Sequence, residues 1–166
     1  ERLFVVGYRK DLGIKNFDFP KEFELEKRVE DFLESSVEAK YYLGKKGFEF
    51  VTTHPSRAQV SEPIMRCQKA NQQFNWNGDF IFEPIEKVQQ REDVLKRAYV
   101  GEWKGKQGVI RKFTPRECLR LMGFKDDFII LHKDEIMYRQ AGNSIVVNVL
   151  MELVKSIEKT GVWTKK

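Results

Sequence analysis

The spacing of apolar residues divides the chain into three stretches. Residues 2–9, Arg2-Leu3-Phe4-Val5-Val6-Gly7-Tyr8-Arg9, are rich in Val, Phe and Tyr and read as a strand that stops near a glycine. Residues 9–23 are turn and extended chain, because Pro20 disfavours helix at Phe19. In 24–36, Leu25, Val29, Phe32 and Leu33 fall at helical spacing opposite charged residues, which predicts a short structural helix. Between 37 and 110 the runs shorten. Tyr41-Tyr42-Leu43, the 48–53 run Phe-Glu-Phe-Val-Thr-Thr and the 79–82 run Asp-Phe-Ile-Phe alternate with Gly, Pro, Asn and Ser. That predicts a small, loop-rich, largely β region without repeats.

From 111 onward the pattern is helical. In FTPRECLRLMGF, Thr114 is a predicted N-cap, Pro115 sits at the first helical position and Glu117 completes a capping box. Leu119 and Met122 share a face, and Gly123 supplies the stop. A last helix is predicted from Asn143 or Ser144 to about Thr160. Ile145, Val149, Leu150, Leu153 and Ile157 form its apolar stripe, Lys155 and Lys159 suit its C-terminal dipole, and Gly161 ends it.

Composition narrows the class. With 41% hydrophobic and 33% charged residues in 166, the chain is globular and long enough for a real core. No apolar run approaches the ~20 residues of a membrane span, and no secretory signal opens the chain. Cys67 and Cys118 lack Cys-x-x-Cys spacing and histidines are few, which argues against a disulfide framework and against any metal site. A reducing cytoplasm is the expected setting. The chain lacks an initiator methionine and enters directly on a strand-like run, so it is expected to be a piece of something longer.

The net charge of +5 is compatible with a polyanionic partner. Lys96, Arg97, Lys104, Lys106, Arg111, Lys112 and Arg116 cluster with only Glu102 among them; a solvated face or a nucleic-acid contact both fit. In RCQKANQQFNWNGDF, Arg66, Gln68, Lys69, Gln72, Gln73 and Asn75 surround Phe74, Trp76 and Phe80. Asn and Gln suit adenine edges and Arg and Lys suit guanine, although an ordinary polar loop fits too. HPSRAQVSEP, with Arg57 and Gln59, is a second such loop. Cys67 in MRCQKA invites a nucleophile reading, but neither His54 nor His132 stands in the context of a base, so a structural cysteine is expected. In YRQAGNS, the glycine allows close backbone approach. A helix N-terminus at Asn143 and Ser144 could hold a carboxylate or hydroxyl, or be a plain cap.

RKFTPRECLRLMGFKDDF followed by YRQAGNSIVVNVL resembles the last two motifs of the cytosine-5 DNA methyltransferases. ERLFVVGYRKDLGIKNFDFPKEFEL resembles the strand after that family's Gln-x-Arg-x-Arg motif. The resemblance covers roughly 1–34 and 111–158, and the two late motifs in this order are highly specific. It implies methyl transfer from S-adenosylmethionine to C5 of a cytosine flipped out of double-stranded DNA. It also implies that Arg2 helps hold the flipped cytosine or nearby backbone and that Asn143 and Ser144 line the cofactor site. Residues 35–110 then occupy the place of the variable target-recognition region, with Arg57, Gln59, Arg66, Gln68, Lys69, Gln72, Gln73, Asn75, Lys104 and Lys106 as candidate DNA contacts.

The sequence holds no Pro-Cys-Gln loop, no Glu-Asn-Val and no Gly-x-Gly after a first strand. Cys67 lacks the preceding proline and is not promoted to nucleophile. The expectation is an α+β fragment. It would hold the end of a catalytic-domain strand and crossover (1–34), a loop-rich β target-recognition domain with short helices (35–124), and a returning segment with a C-terminal helix (125–166). In the family that helix packs on the α/β catalytic domain. The implied setting is a bacterial restriction–modification system, with an incomplete S-adenosylmethionine site and an N-terminal catalytic part supplied in cis or in trans. A natural recognition subunit of a split enzyme and a non-catalytic docking partner are the alternatives.

Overall fold

The structure is a computed structural model and describes residues 3–70 and 76–164. Arg2, Gln72, Gln73 and Asn75 lie outside the described residues. The chain forms two compact units, one from its two end segments and one from Leu25–Ser144. The architecture is mixed α+β.

In the Leu25–Ser144 unit, single 3-10 turns at Val29–Phe32 and Ala39–Tyr41 lead to helix α1, Lys45–Thr53. Strands β1 (Ala58–Val60) and β2 (Gly78–Pro84) follow, then the short helices α2 (Ile85–Val88) and α3 (Glu92–Arg97). Strands β3 (Gly101–Trp103) and β4 (Lys106–Arg111) precede helices α4 (Pro115–Leu121) and α5 (Asp134–Asn143). The sheet order is β1-β2-β4-β3. β1 runs parallel to β2 (Val60 beside Phe80), and β2 antiparallel to β4 (Phe82 beside Ile110). β3 and β4 form a hairpin whose turn residues, Lys104 and Gly105, both have positive φ (48° and 76°). That is the two-residue turn whose twist suits paired strands.

The period of two along a strand sends neighbouring residues to opposite faces. Phe80 and Ile110 join Leu43, Phe48, Val51, Ala58 and Val60 in one buried cluster. Ile81 and Val109 join Tyr42, Phe113, Cys118, Leu119, Met137 and Tyr138 in another. The sheet is therefore covered on both sides, α1 being on one and α4 and α5 on the other.

Helix α4 matches its prediction residue for residue at the start. Thr114 Oγ1 accepts the Glu117 N–H (3.1 Å), and the Glu117 carboxylate accepts the Thr114 N–H (2.8 Å). Gly123 follows with φ 87°.

Other expectations need correction. Residues 3–9 form no strand; Leu3 and Val5 are 90% and 84% exposed, and no described segment offers them a ladder. Only one 3-10 turn survives of the helix expected over 24–36. The Val29 N–H is drawn to the Pro63 carbonyl (3.0 Å), and Leu25 stays exposed. The run 48–53 is helical, not a strand. Phe48 and Val51, three apart, are the buried residues, and their burial outweighs the aromatic β preference. Tyr41-Tyr42-Leu43 is a 3-10 turn plus one bridge from Tyr42 to Arg111.

The end-segment unit holds a 3-10 turn at Lys10–Leu12 and helix α6, Val147–Glu158. Gly161 follows it with φ 71°. The helix thus starts later than predicted, and YRQAGN closes α5 instead of leading into α6. The reason is the stripe Met137, Tyr138 and Ala141, which is buried and holds those residues in helix. Of the predicted stripe on α6, Leu153 is buried and Val149 and Leu150 are exposed. An open hollow of about 860 Å³ in this unit, lined by Phe19, Phe23, Glu152 and Lys159 among others, contains none of the predicted site residues.

Candidate nucleic-acid interface

Charge alone placed Arg111 in an exposed basic cluster, either a solvated face or a nucleic-acid contact. The structure corrects this: Arg111 is fully buried. Its guanidinium makes a two-bond fork to Glu117 (2.8 and 2.9 Å) and a third bond to Glu83 (2.7 Å). The Tyr42 hydroxyl donates to Glu83 (2.7 Å), and the Glu34 N–H donates to Glu117 (2.9 Å). Thr114 Oγ1 donates to the Glu34 carboxylate. A buried charge of this kind persists only when paired and hydrogen-bonded. The capping box of α4 is thereby tied to strands β2 and β4, so the Thr114–Glu117 motif anchors a helix to the sheet.

The exposed candidates gather at two places. Arg57 is exposed in the turn just before β1, and Gln59, within β1, is half-buried and pairs with Asp79 at the start of β2. Arg66 and Lys69 also come to Asp79, whose carboxyl feels both charges. Lys104 and Lys106 stand exposed at the β3–β4 turn, on the opposite edge of the sheet. Lys104 Nζ lies 4.3 Å from the centre of the Trp103 ring. Gln68 is buried beside the Cys118 thiol and so does not face solvent. Cys67 is exposed, and its thiol approaches the Gln68 carbonyl at 3.8 Å.

Sequence reasoning missed three residues around Arg57. The His54 ring stacks on Phe50 (4.4 Å between centres, 12° between planes). The Arg57 guanidinium lies 5.1 Å from the centre of the same Phe50 ring, and Nε donates to Asn77 Oδ1 (2.8 Å). The signal was present: Phe50 and His54 are four apart at a helix end, the spacing at which helical side chains meet.

Burial raises the Asp79 carboxyl to about 6, with the Arg66 backbone and the Arg66 and Lys69 charges opposing. An unfolded Asp titrates near ~3.9. The folded state therefore holds the proton more tightly; its stability is full below about pH 4 and falls as pH rises through about 6. Asp79→Asn is expected to stabilise the unit by about 1–2 kcal/mol at about pH 8 and by little at about pH 4. Urea midpoints at the two pH values measure this; equal gains at both would sink the assignment.

At the end of α5, Asn143 is exposed and Ser144 is half-buried. The Ser144 N–H returns to the Gln140 and Ala141 carbonyls (3.0 and 3.2 Å), and its hydroxyl donates to the Ala141 carbonyl (2.7 Å). Neither residue caps α6. Gly142 faces the 66–70 loop: a Cβ there would sit 2.5 Å from the Ala70 Cα and from the Lys69 carbonyl carbon. The close approach expected of this glycine is therefore to the chain's own backbone at Lys69 and Ala70.

Known proteins resemble this chain in sequence and in fold. The family model of C-5 cytosine-specific DNA methylases matches residues 1–159. The type II methyltransferase M.HhaI of Haemophilus parahaemolyticus is 30% identical over 163 residues, covering 95% of this chain and 47% of the relative. M.DsaV of Dactylococcopsis salina is 32% identical over 166 residues, covering 95% and 42%. The chain thus spans about half the length of the curated relatives it matches. Among solved structures, an Entamoeba histolytica methyltransferase is similar with TM-score 0.58 at 17% identity, covering 88% of this chain and 44% of that one. The Dnmt2 methyltransferase of S. pombe gives 0.55 at 23%, covering 84% and 44%. These likenesses concern the fold, whereas the family match and the sequence relatives carry the assignment. The chain belongs to the C-5 cytosine-specific DNA methylase family.

Proposed function

We propose that this chain is the DNA-recognition portion of a cytosine-5 DNA methyltransferase of a bacterial restriction–modification system. Residues 35–124 would choose a short duplex site, and the catalytic part of the enzyme, in cis or in trans, would methylate a flipped cytosine there. The observation that carries the reading is the family match over 1–159, supported by the Thr114–Glu117 capping box, which ties helix α4 through Arg111 to the sheet.

S-adenosylmethionine would supply the methyl group. Asn143 and Ser144 fit one wall of its site. The exposed Asn143 amide both donates and accepts, and the Ser144 hydroxyl, whose proton goes to Ala141, meets a ligand as an acceptor. The basic tip at Lys104 and Lys106 would neutralise phosphates, while the β1 side of the sheet would face bases.

The test is methyl transfer with duplex DNA and radiolabelled S-adenosylmethionine. The purified chain alone is expected to transfer none. Adding a separately produced polypeptide that bears the family's Pro-Cys-Gln segment is expected to restore transfer if recognition can be supplied in trans. Transfer by this chain alone would overturn the proposal.

A further inference from the structure

We infer that Arg57 and His54 are a fixed donor–acceptor pair that reads one G·C base pair from the major groove. The inference rests on the recognition role proposed above and names what that surface reads.

The His54 ring is held in one tautomer. Its Nδ1 lies 3.0 Å from the Phe50 carbonyl and 2.9 Å from Thr53 Oγ1. The Thr53 hydroxyl donates its proton to the Glu49 carbonyl (2.6 Å), so toward His54 it can only accept. Nδ1 therefore carries the proton in the neutral ring, and Nε2 is left as an acceptor. Stacking on Phe50 fixes the ring plane.

Arg57 is fixed as well. Its N–H closes the turn to the His54 carbonyl (2.9 Å), its guanidinium lies over Phe50, and Nε is held by Asn77. The Nη1 and Nη2 edge has no hydrogen bond among the described residues, and the side chain is exposed. Phe50 is itself anchored, packing with Trp76 against the buried cluster under α1. Two side chains that rest on one Phe50 ring therefore offer a donor fork and a lone acceptor, with their entropy already reduced.

A G·C pair shows the complementary pattern. Guanine offers O6 and N7 to a two-bond arginine contact, and cytosine offers its N4 amine to an acceptor. A T·A pair puts a methyl group and a carbonyl oxygen on the thymine side, which leave the imidazole acceptor without a donor there. A phosphate would satisfy Arg57 but offers no donor to His54.

The experiment selects bound duplexes from a randomised pool with the 166-residue chain and sequences them. The wild type is expected to enrich a motif containing a G·C column. R57K keeps the charge and loses the fork, and H54F keeps the stack and loses the acceptor. Each is expected to weaken that one column roughly ten- to a hundredfold while leaving affinity for random duplex within about twofold. A K104A/K106A control is expected to weaken binding to all sequences and flatten the salt dependence. Circular dichroism confirms that each variant is folded. The inference is overturned if both variants keep the column, or if R57K weakens all sequences equally. A wild type that binds duplex without selecting a motif also overturns it. A wild type that binds no duplex overturns the recognition role itself, and the two failures are thereby distinguished.

Discussion

Replacing Arg111 with methionine is expected to lower the stability of the Leu25–Ser144 unit by about 3–5 kcal/mol, a large part of what holds a domain of this size together. The methionine fills similar volume, so lost packing is a minor contribution. The cost comes from the carboxylates left behind. Glu117 is fully buried, and Glu83 is 14% exposed at its side chain. Without the guanidinium, among the described residues Glu117 keeps the Thr114 and Glu34 N–H donors, and Glu83 keeps the Tyr42 hydroxyl. Three neutral donors do not offset the desolvation of two negative charges. By contrast, losing the Thr114 cap alone costs about 1 kcal/mol. Urea denaturation followed by circular dichroism measures the difference. The triple variant Arg111→Met, Glu117→Gln, Glu83→Gln separates the causes. Removing all the charges together is expected to recover most of the loss, because the penalty belongs to the unpaired ions. A triple variant no more stable than Arg111→Met would show that packing, not charge, is what Arg111 provides.

The same residue shows where the sequence stops being readable. Helix α4 was legible because its signals are local: Thr114, Pro115, Glu117 and Gly123 lie within ten positions and act on one another. Arg111 was not, because its neighbour in sequence is Lys112, while Glu83 reaches it only through the pairing of β2 with β4. Helix α1 was misread for a related reason. Phe48-Glu49-Phe50-Val51 alternates like a strand, and only the packed structure selects Phe48 and Val51 as the buried pair. Of the candidate site, the exposure of Arg57, Arg66 and Lys69 was legible from composition, whereas Ala58–Val60 in the second polar stretch is strand β1 and not loop. That Arg57 shares the Phe50 ring with His54 was not, since nothing in HPSR says that the turn folds back on the helix. The Asn-Ser signal at 143–144 was ambiguous in kind: Gly and Asn also mark helix ends, and here they close α5.

Gly142→Val is expected to destabilise the same unit by about 2–3 kcal/mol and to free the 66–70 loop. Two effects compete. A side chain in place of glycine improves helix propensity, by less than about 1 kcal/mol for a β-branched residue. Gly142 carries no positive φ, so backbone strain does not oppose the change. Against it stands the loop. A Cβ at 142 would meet the backbone of Lys69 and Ala70, which cannot rotate aside as a flexible side chain can. Either α5 shifts away from α4, breaking the buried contacts of Met137 and Tyr138, or the loop lifts off the helix. The loop is the weaker partner, since Arg66, Cys67 and Lys69 are exposed whereas Met137 and Tyr138 are buried. The expected signature is therefore faster tryptic cleavage after Arg66 and Lys69, with the loss of stability shared between loop release and helix displacement. Gly142→Ala, adding only the Cβ, should show the same cleavage with a smaller loss of about 1 kcal/mol. Unchanged cleavage together with raised stability would mean that helix propensity wins and the loop does not rest on this glycine. Lifting the loop also exposes Gln68, which the packed loop keeps buried beside Cys118. The glycine in Gln-Ala-Gly-Asn-Ser thus couples the helix that carries Asn143 to the loop that carries Arg66 and Lys69, and a change at one position is expected to disturb both.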